Sequence, residues 1–530
     1  MNQPFNWEFK YSSQRMPILA KNVVSTSQPL ASQAGLQMLQ KGGNAVDAAI
    51  SAAIALTVVE PVNNGVGSDA FAIIWDKKKL IGLNASGKSP SLWTKDYFSK
   101  YKSMPLVGWD SVTVPGAVSA WVELSKTYGQ LEFKQLFEPA IKYANEGFLI
   151  SPITAKLWKK IKPIYNRPQF SEFQRIFFPK NRSPKPGELF KVPELAETLV
   201  LIAETQGDAF YHGELAKKIS ECSKKQGGLL RYENLSDHKA IWQDTIQLNY
   251  ADVTLHELPP NGQGLAALMM LGLIKHHNLK SYTSDSVESI HLQNEAMKLS
   301  FSDAYRYISD PKTMEIEPSE LLNERYLAKR AKLIDLKKAQ EYHYGFPKES
   351  DTVYLTAADE DGMMVSYIQS NYFGFGSGIV IPGTGISLQN RGNCFTLEEN
   401  HPNQVGPNKR PFHTIIPAFV MKDKQPLMSF GVMGGSMQPQ GHAQMMIRIF
   451  GYGQNPQTAI DAPRWRVGNG RKISLEDGFN QKVLNQLSNK GHRISIDHYS
   501  NFGGAQIIFR LGDGYLAASD PRKDGQAVGY

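Results

Sequence analysis

Cysteine is nearly absent: 530 residues hold two, Cys222 and Cys394. That is too few for a disulfide framework, and neither sits in a CxxC or Cys/His spacing suited to zinc. Such sparing use fits a reducing compartment. Long hydrophobic runs are missing too. The most apolar stretch, 45–59, carries Asp47 and is shorter than the roughly 20 residues that cross a bilayer. The opening MNQPFNWEFKYSSQRMPILA has no apolar core behind positive charge, so no secretory signal is expected, and the protein is expected in the cytoplasm without a membrane partner. Charge is nearly balanced, with 58 Lys and Arg against 50 Asp and Glu. Its basic clusters (Lys77-Lys78-Lys79, Lys159-Lys160, and Lys329-Arg330 with Lys332) lie far apart in the chain, whereas a nucleic-acid surface needs them on one face. The twelve histidines form no HExxH, and no serine occupies a GxSxG elbow. A zinc hydrolase and an α/β-hydrolase are therefore unsupported, and neither metal nor cofactor is expected.

What is present is material for a large core, with 41% hydrophobic residues. Ser27 and Pro29 open a helix with apolar residues at Leu30, Ala34, Leu36 and Leu39, stopped by Gly42-Gly43. Asn44 caps a second helix, AVDAAISAAIALTVV, which is apolar all round and so must lie between layers. FAIIWDKKKLIGL reads as a hairpin, and the spacing from Ser286 to Ile308 predicts a long helix closed by Pro311. Leu336 to Asp351 is a polar stretch with Gly345 and Pro347 and reads as an exposed linker. From Thr352 the composition changes: TVYLTAADEDGMMVSYIQS is two β-prone runs about an Asp-Gly turn. Short strands, Gly-rich loops and a helix near Met437 to Phe450 follow. Strands and buried helices without βαβ alternation predict an α/β (α+β layered) fold of stacked sheets and helices.

Three segments invite a chemical reading. Gly82 to Ser89 satisfies the G-x4-G-K-[ST] pattern of a phosphate-binding loop, but Pro90 removes a donor where a helix should begin. A nucleotide-binding protein stands as the rival from another enzyme class, and a processing-dead scaffold as a third. Thr352 begins a strand just after the linker, ordinarily mere β-propensity. Exposed as a new N-terminus, however, it would own both a hydroxyl nucleophile and an α-amine of pKa about 8 to serve as its base. Gly434-Gly435, ordinarily a tight turn, would also allow paired N–H groups to face an oxyanion ahead of a helix.

These segments, with GGNAVDAAISAAIALTVVEP at 42–61, VTVPGAVSAW at 112–121, LPPNGQG at 258–264, HLQNEAMKLSFSDAYRYISDP at 291–311, GFGSGIVIPGTGISLQNRG at 374–392, GPNKRPFHTIIP at 406–417, GGSMQPQGH at 434–442, DAPRW at 461–465 and ASDPRKDG at 518–525, resemble the γ-glutamyltranspeptidase family and its acylase-like branch. The resemblance implies an N-terminal-nucleophile hydrolase with an αββα sandwich, made as a proenzyme that cuts itself between Asp351 and Thr352. It would leave a large subunit, 1–351, and a small catalytic subunit, 352–530, intertwined in one fold. It implies Thr352 as nucleophile, Ser370 as the hydroxyl beside it, Gly434 and Gly435 as oxyanion donors, and Thr414 in contact with substrate. The activity implied is that of an amidohydrolase or acyltransferase acting on a small amide, γ-glutamyl or glutaryl-like, with a glutaryl- or cephalosporin-type acylase as the same-fold alternative.

This sequence departs from the γ-glutamyl-specific pattern in the donor pocket. Cys394 stands where an Asp grips the donor's ammonium, Tyr372 replaces an Asn, Arg391 a Gln and His413 a Ser. The Arg expected for the α-carboxylate has no direct counterpart in LNASGKSP, where Lys88 is the nearest cation. Arg391, Lys88 or Arg522 is expected to hold a donor's terminal carboxylate, unless Glu398 or Glu399 restores the missing acid.

Overall fold

The computed structural model describes residues 15–342 and 351–530. Two seven-stranded sheets, antiparallel throughout, lie face to face. One runs in the order Gln526–Gly529, Val23–Thr26, Asp351–Ala358, Met364–Tyr372, Asp69–Trp75, Leu80–Asn84 and Ile241–Gln243. The other runs Ile18–Ala20, Tyr515–Ser519, Gly504–Arg510, Gln425–Met433, Ala418–Lys422, Val253–Glu257 and Ile246–Tyr250. Each sheet contains strands from both sides of the linker.

Helices cover both outer faces. Helix Ala45–Val59, capped by Asn44 in a reciprocal box with Asp47, is buried at all its positions, as its uniform apolarity requires. It packs with helix Pro29–Gln40 on Val353, Leu355, Val365 and Tyr367. Gln28, rather than Ser27, supplies the side-chain cap of the first helix. The opposite layer is built from helices Gly264–Ile274 and Met437–Met446 and the long helix Val287–Tyr307, packed on Val420, Phe430 and Ile507. Between the sheets, Phe71, Ile73, Tyr354, Ile368, Phe419 and Ile508 form the central core. Three apolar interfaces between four layers make the αββα sandwich. No described helix is long and apolar enough to cross a membrane. Half of the expected linker, 343–350, lies outside the described residues; Leu336 to Tyr342 carries no helix or strand.

Candidate active site

Thr352 is the second residue of strand Asp351–Ala358. Side chains alternate along a strand, so Val353 and Leu355 face the helices while Thr352 and Tyr354 face the second sheet. Pairing with the next strand shifts between Asp351↔Tyr372 and Val353↔Gln369, a bulge of the kind that re-aims a side chain beside a site. The Thr352 hydroxyl donates to Ser370 Oγ at 3.3 Å, and the same Oγ accepts the Tyr372 N–H at 2.8 Å. Tyr372 itself holds a left-handed φ of 76°, so the backbone is turned sharply just past Ser370.

Strand Gln425–Met433 delivers Gly434 and Gly435 at φ of 114° and 59°, values that L side chains resist. Both carbonyls are engaged: Gly434 O accepts from Met437 N, and Gly435 O from Gln438 N and, at 2.8 Å, from Gln263 Nε2. Among the described residues neither glycine N–H has an acceptor. Two adjacent unpaired donors at the start of a helix are what an oxyanion requires. Gly434 and Thr352 line one cleft of about 70 Å³ together with Phe373 and Met433.

Gln438 and Gln263 escaped the sequence reading. Gln438 Nε2 donates to Thr352 Oγ1 at 3.2 Å, while its Oε1 is anchored by Ile416 N–H at 2.9 Å. The bond points the hydroxyl proton toward Ser370 and leaves a donor on the oxygen as charge develops there. Gln263 Nε2 donates to Thr414 O at 2.5 Å and to Gly435 O at 2.8 Å, joining the Gly434-Gly435 turn to the Thr414 loop. Glutamine carries no titration signature, so only a contact identifies it. Replacing Gln438 by Met should lower kcat about tenfold, the scale of one hydrogen bond to a charged oxygen. Steady-state kinetics should show KM within twofold of native.

The predicted donor residues assemble selectively. Arg391 is fully buried, donates to Thr414 Oγ1 at 2.7 Å, lies 4.6 Å over the Tyr372 ring and reaches Cys394 Sγ at 3.9 Å. Its Nε and Nη2 have no hydrogen-bond partner among the described residues. Burial pushes the Cys394 thiol up even though Arg391 favours its thiolate, so Cys394 is a neutral neighbour and no substitute for a carboxylate. His413 turns to Asp69 Oδ2 at 3.1 Å and is held neutral by burial.

Arg522 is removed from the set: Glu476 and Asp520 occupy its guanidinium. Lys88 sits beside Arg410 and Lys312, which with burial lower its pKa, and no described contact joins it to Thr352. Glu398 is exposed, and Glu399 pairs on the surface with Lys95; neither restores an acid to the pocket. The phosphate-loop pattern is spent as well, since Ala85 to Pro90 opens no helix and Gly87 N–H donates to Asp69 Oδ1 at 3.2 Å.

Asp69 is the carboxylate the sequence reading missed, although an acid opening an otherwise apolar strand was a signal. Burial pushes it up to about 7 against the opposing pull of Arg391. An acid raised in the fold contributes stability that is complete below its unfolded pKa near 4 and disappears as pH rises through 7. Relative to Asp69→Asn, the native protein should therefore lose about 2 kcal/mol between pH 5 and 7, measurable by urea unfolding of both proteins at each pH.

Among the described residues, His291, Glu295 and His492 present ligand atoms within 4.8 Å of one another. The two histidines hydrogen-bond each other at 2.8 Å, and the Lys298 ammonium sits on Glu295. The Glu295 carboxylate is thus already paired with a cation.

A family model described as Gamma-glutamyltranspeptidase matches residues 31–530. The Glutathione hydrolase-like YwrD proenzyme of Bacillus subtilis is 36% identical, covering 96% of this chain and 98% of its own. The Oxamate amidohydrolase proenzyme of Klebsiella pneumoniae is 34% identical, covering 94% and 97%. The crystal structure of a cephalosporin acylase from Bacillus halodurans superposes with a TM-score of 0.95 at 45% identity, covering 100% and 99%. With the sandwich, the bulge-mounted threonine and the paired glycine donors already in place, these likenesses make the chain a member of the γ-glutamyltranspeptidase family, enzymes of the N-terminal-nucleophile hydrolase fold.

Proposed function

We propose that the chain cuts itself between Asp351 and Thr352, and that the mature enzyme transfers to water or an amine those acyl groups that end in a carboxylate and lack an α-amine. In maturation Thr352 Oγ attacks the Asp351 carbonyl carbon. The C–N bond breaks, the hydroxyl proton ends on the freed amine, and water opens the resulting ester. The new α-amine then takes the Oγ proton as an amide substrate is attacked. The oxyanion is received by the Gly434 and Gly435 N–H groups, the proton passes to the leaving amine, and water or an acceptor amine releases the acyl group.

The observation that carries the donor assignment is Arg391: a buried guanidinium with two unpartnered nitrogens, set on Tyr372 and Thr414. Such a group invites a carboxylate and opposes an ammonium. The relative named for oxamate acts on the monoamide of a dicarboxylic acid, and the structural neighbour is named an acylase; both names support this reading. Glutathione is accordingly a poor donor. Two unpaired cysteines fit a cytoplasmic setting. Glutaryl-p-nitroanilide should exceed γ-glutamyl-p-nitroanilide in kcat/KM by about two decades. Strong preference for the γ-glutamyl compound would overturn the assignment.

A further inference from the structure

The glycine pair opens a helix that is fastened on two faces. Helix Met437–Met446 is buried at every position, yet four of its side chains are polar. Gln440 Oε1 accepts from Val467 N–H at 2.7 Å, and Gln444 exchanges hydrogen bonds with the Trp465 backbone at 3.2 and 3.0 Å. These two residues lie four apart, so they share one face, held by strand Trp465–Val467. Gln438 and His442, also four apart, share another. Gln438 reaches Thr352 from the first turn. His442 stands about 6 Å further along the axis, and its Nδ1 lies 2.6 Å from Glu257 Oε1.

Both members of this pair are wholly buried. Burial pushes the Glu257 carboxyl well above the usual carboxylate range and His442 down to about 3, so both are neutral and the carboxyl O–H donates to Nδ1. Among the described residues neither Glu257 Oε2 nor His442 Nε2 has a hydrogen-bond partner. Two such dry atoms cost stability that an apolar pair of similar volume would not. Glu257 also bears on the glycine turn by a second route. It ends strand Val253–Glu257, and Gly264 packs so closely on it that an added Cβ would come within 2.7 Å of Glu257 Cβ and 2.8 Å of Oε2. The residue before Gly264 is Gln263, whose amide holds Gly435 O at 2.8 Å. One carboxyl thus reaches the turn through Gln263 and the helix through His442.

We propose that Glu257 and His442 are positioning residues for the oxyanion donors: their hydrogen bond fixes where helix Met437–Met446 stands along its axis, and with it the aim of the Gly434 and Gly435 N–H groups and of the Gln438 amide. The inference rests on the reading above in taking Thr352 as nucleophile and the glycines as oxyanion donors, and it is independent of which acyl group is bound. A slide of about half an ångström leaves substrate bound but weakens contacts that form fully only in the transition state. Apolar packing tolerates such a slide, whereas a short hydrogen bond loses strength steeply with distance and angle.

The test sets activity against stability in the mature enzyme. The double variant Glu257→Met/His442→Leu replaces both partners by apolar groups and should melt within a few degrees of native. Its kcat should nevertheless fall about tenfold with KM within twofold, read on whichever of glutaryl- and γ-glutamyl-p-nitroanilide the native enzyme turns over faster. Glu257→Gln, whose amide N–H donates to Nδ1 in place of the acid, should keep kcat within twofold. If the double variant does not fold, His442→Asn and His442→Gln supply the contrast. Asn places its oxygen where Nδ1 stands and should stay near native; Gln carries its amide nearer Nε2 and should lose about tenfold. A turnover-independent arm follows amide deuterium exchange in peptides spanning 434–446, expected to be about tenfold faster in the double variant and native-like in Glu257→Gln. A folded double variant with native kcat, whether or not exchange quickens, overturns the proposal. So does Glu257→Gln falling as far as the double variant. Absence of turnover of both anilides by the native enzyme, with exchange responding as expected, overturns the acyl-transfer reading and leaves the coupling of Glu257 to the glycine turn standing.

Discussion

Thr352→Ala should remain a single chain of 530 residues with no measurable amidase activity. The native protein should resolve on a denaturing gel into 1–351 and 352–530, with Thr352 the first residue of the smaller band. The expectation follows from one oxygen having two duties. In the proposed mechanism Oγ1 first attacks the adjoining Asp351 carbonyl and afterward attacks substrate with its own amine as base. Removing such a nucleophile costs roughly a millionfold in rate. The fold should survive, because the hydroxyl's contacts are the 3.3 Å bond to Ser370 and the 3.2 Å bond from Gln438, together worth about 1–2 kcal/mol. A circular-dichroism melt separates inactivation from unfolding. Thr352→Ser should still be cut, more slowly. Cleavage of Thr352→Ala at the same bond would show that another group starts the reaction.

Arg391→Gln should lower kcat/KM for glutaryl-p-nitroanilide by two to three decades, since a desolvated carboxylate left without its cation costs about 3–5 kcal/mol. Cys394→Asp tests the same assignment from the other side. Sγ lies 3.9 Å from Arg391 Nη1, so a carboxylate there pairs with the guanidinium, cancels its charge and offers a place for an ammonium. Glutaryl turnover should then fall and γ-glutamyl turnover rise, moving the ratio by at least a decade. A ratio that Cys394→Asp leaves unmoved would mean that the donor is held elsewhere. Arg391 is buried and Cys394 partly so, and unfolding midpoints must therefore accompany the kinetics.

The elements with strong local signals were legible from the chain. The wholly apolar helix at 45–59 had to be sandwiched, because no polar face remained for water. The Asp-Gly turn joined the strands on either side of 359–362, and Thr352 stood at a change from polar to β-prone composition. Lys88 and Arg522 illustrate what proximity in sequence misses. Arg522 lies in a conspicuous basic segment, yet folding places it between Glu476 and Asp520, which take its hydrogen bonds. Lys88 sits in a phosphate-loop pattern whose backbone serves Asp69 instead.

The order of apolar and polar residues by itself determined a layered fold, a strand beginning at the candidate nucleophile and a glycine pair able to present two N–H groups, because each depends on neighbours within a few positions. Only tertiary structure decided which charges share a pocket. Asp69, Arg391 and His413 come from segments more than 20 residues apart and meet because two sheets stack across one core. Gln438 and Gln263 acquire their roles through the approach of helices from the second sheet. Burial changes a group's chemistry only once every neighbouring layer is in place, which is why a candidate nucleophile could be named through the family resemblance while Asp69, Gln438 and Gln263 could not.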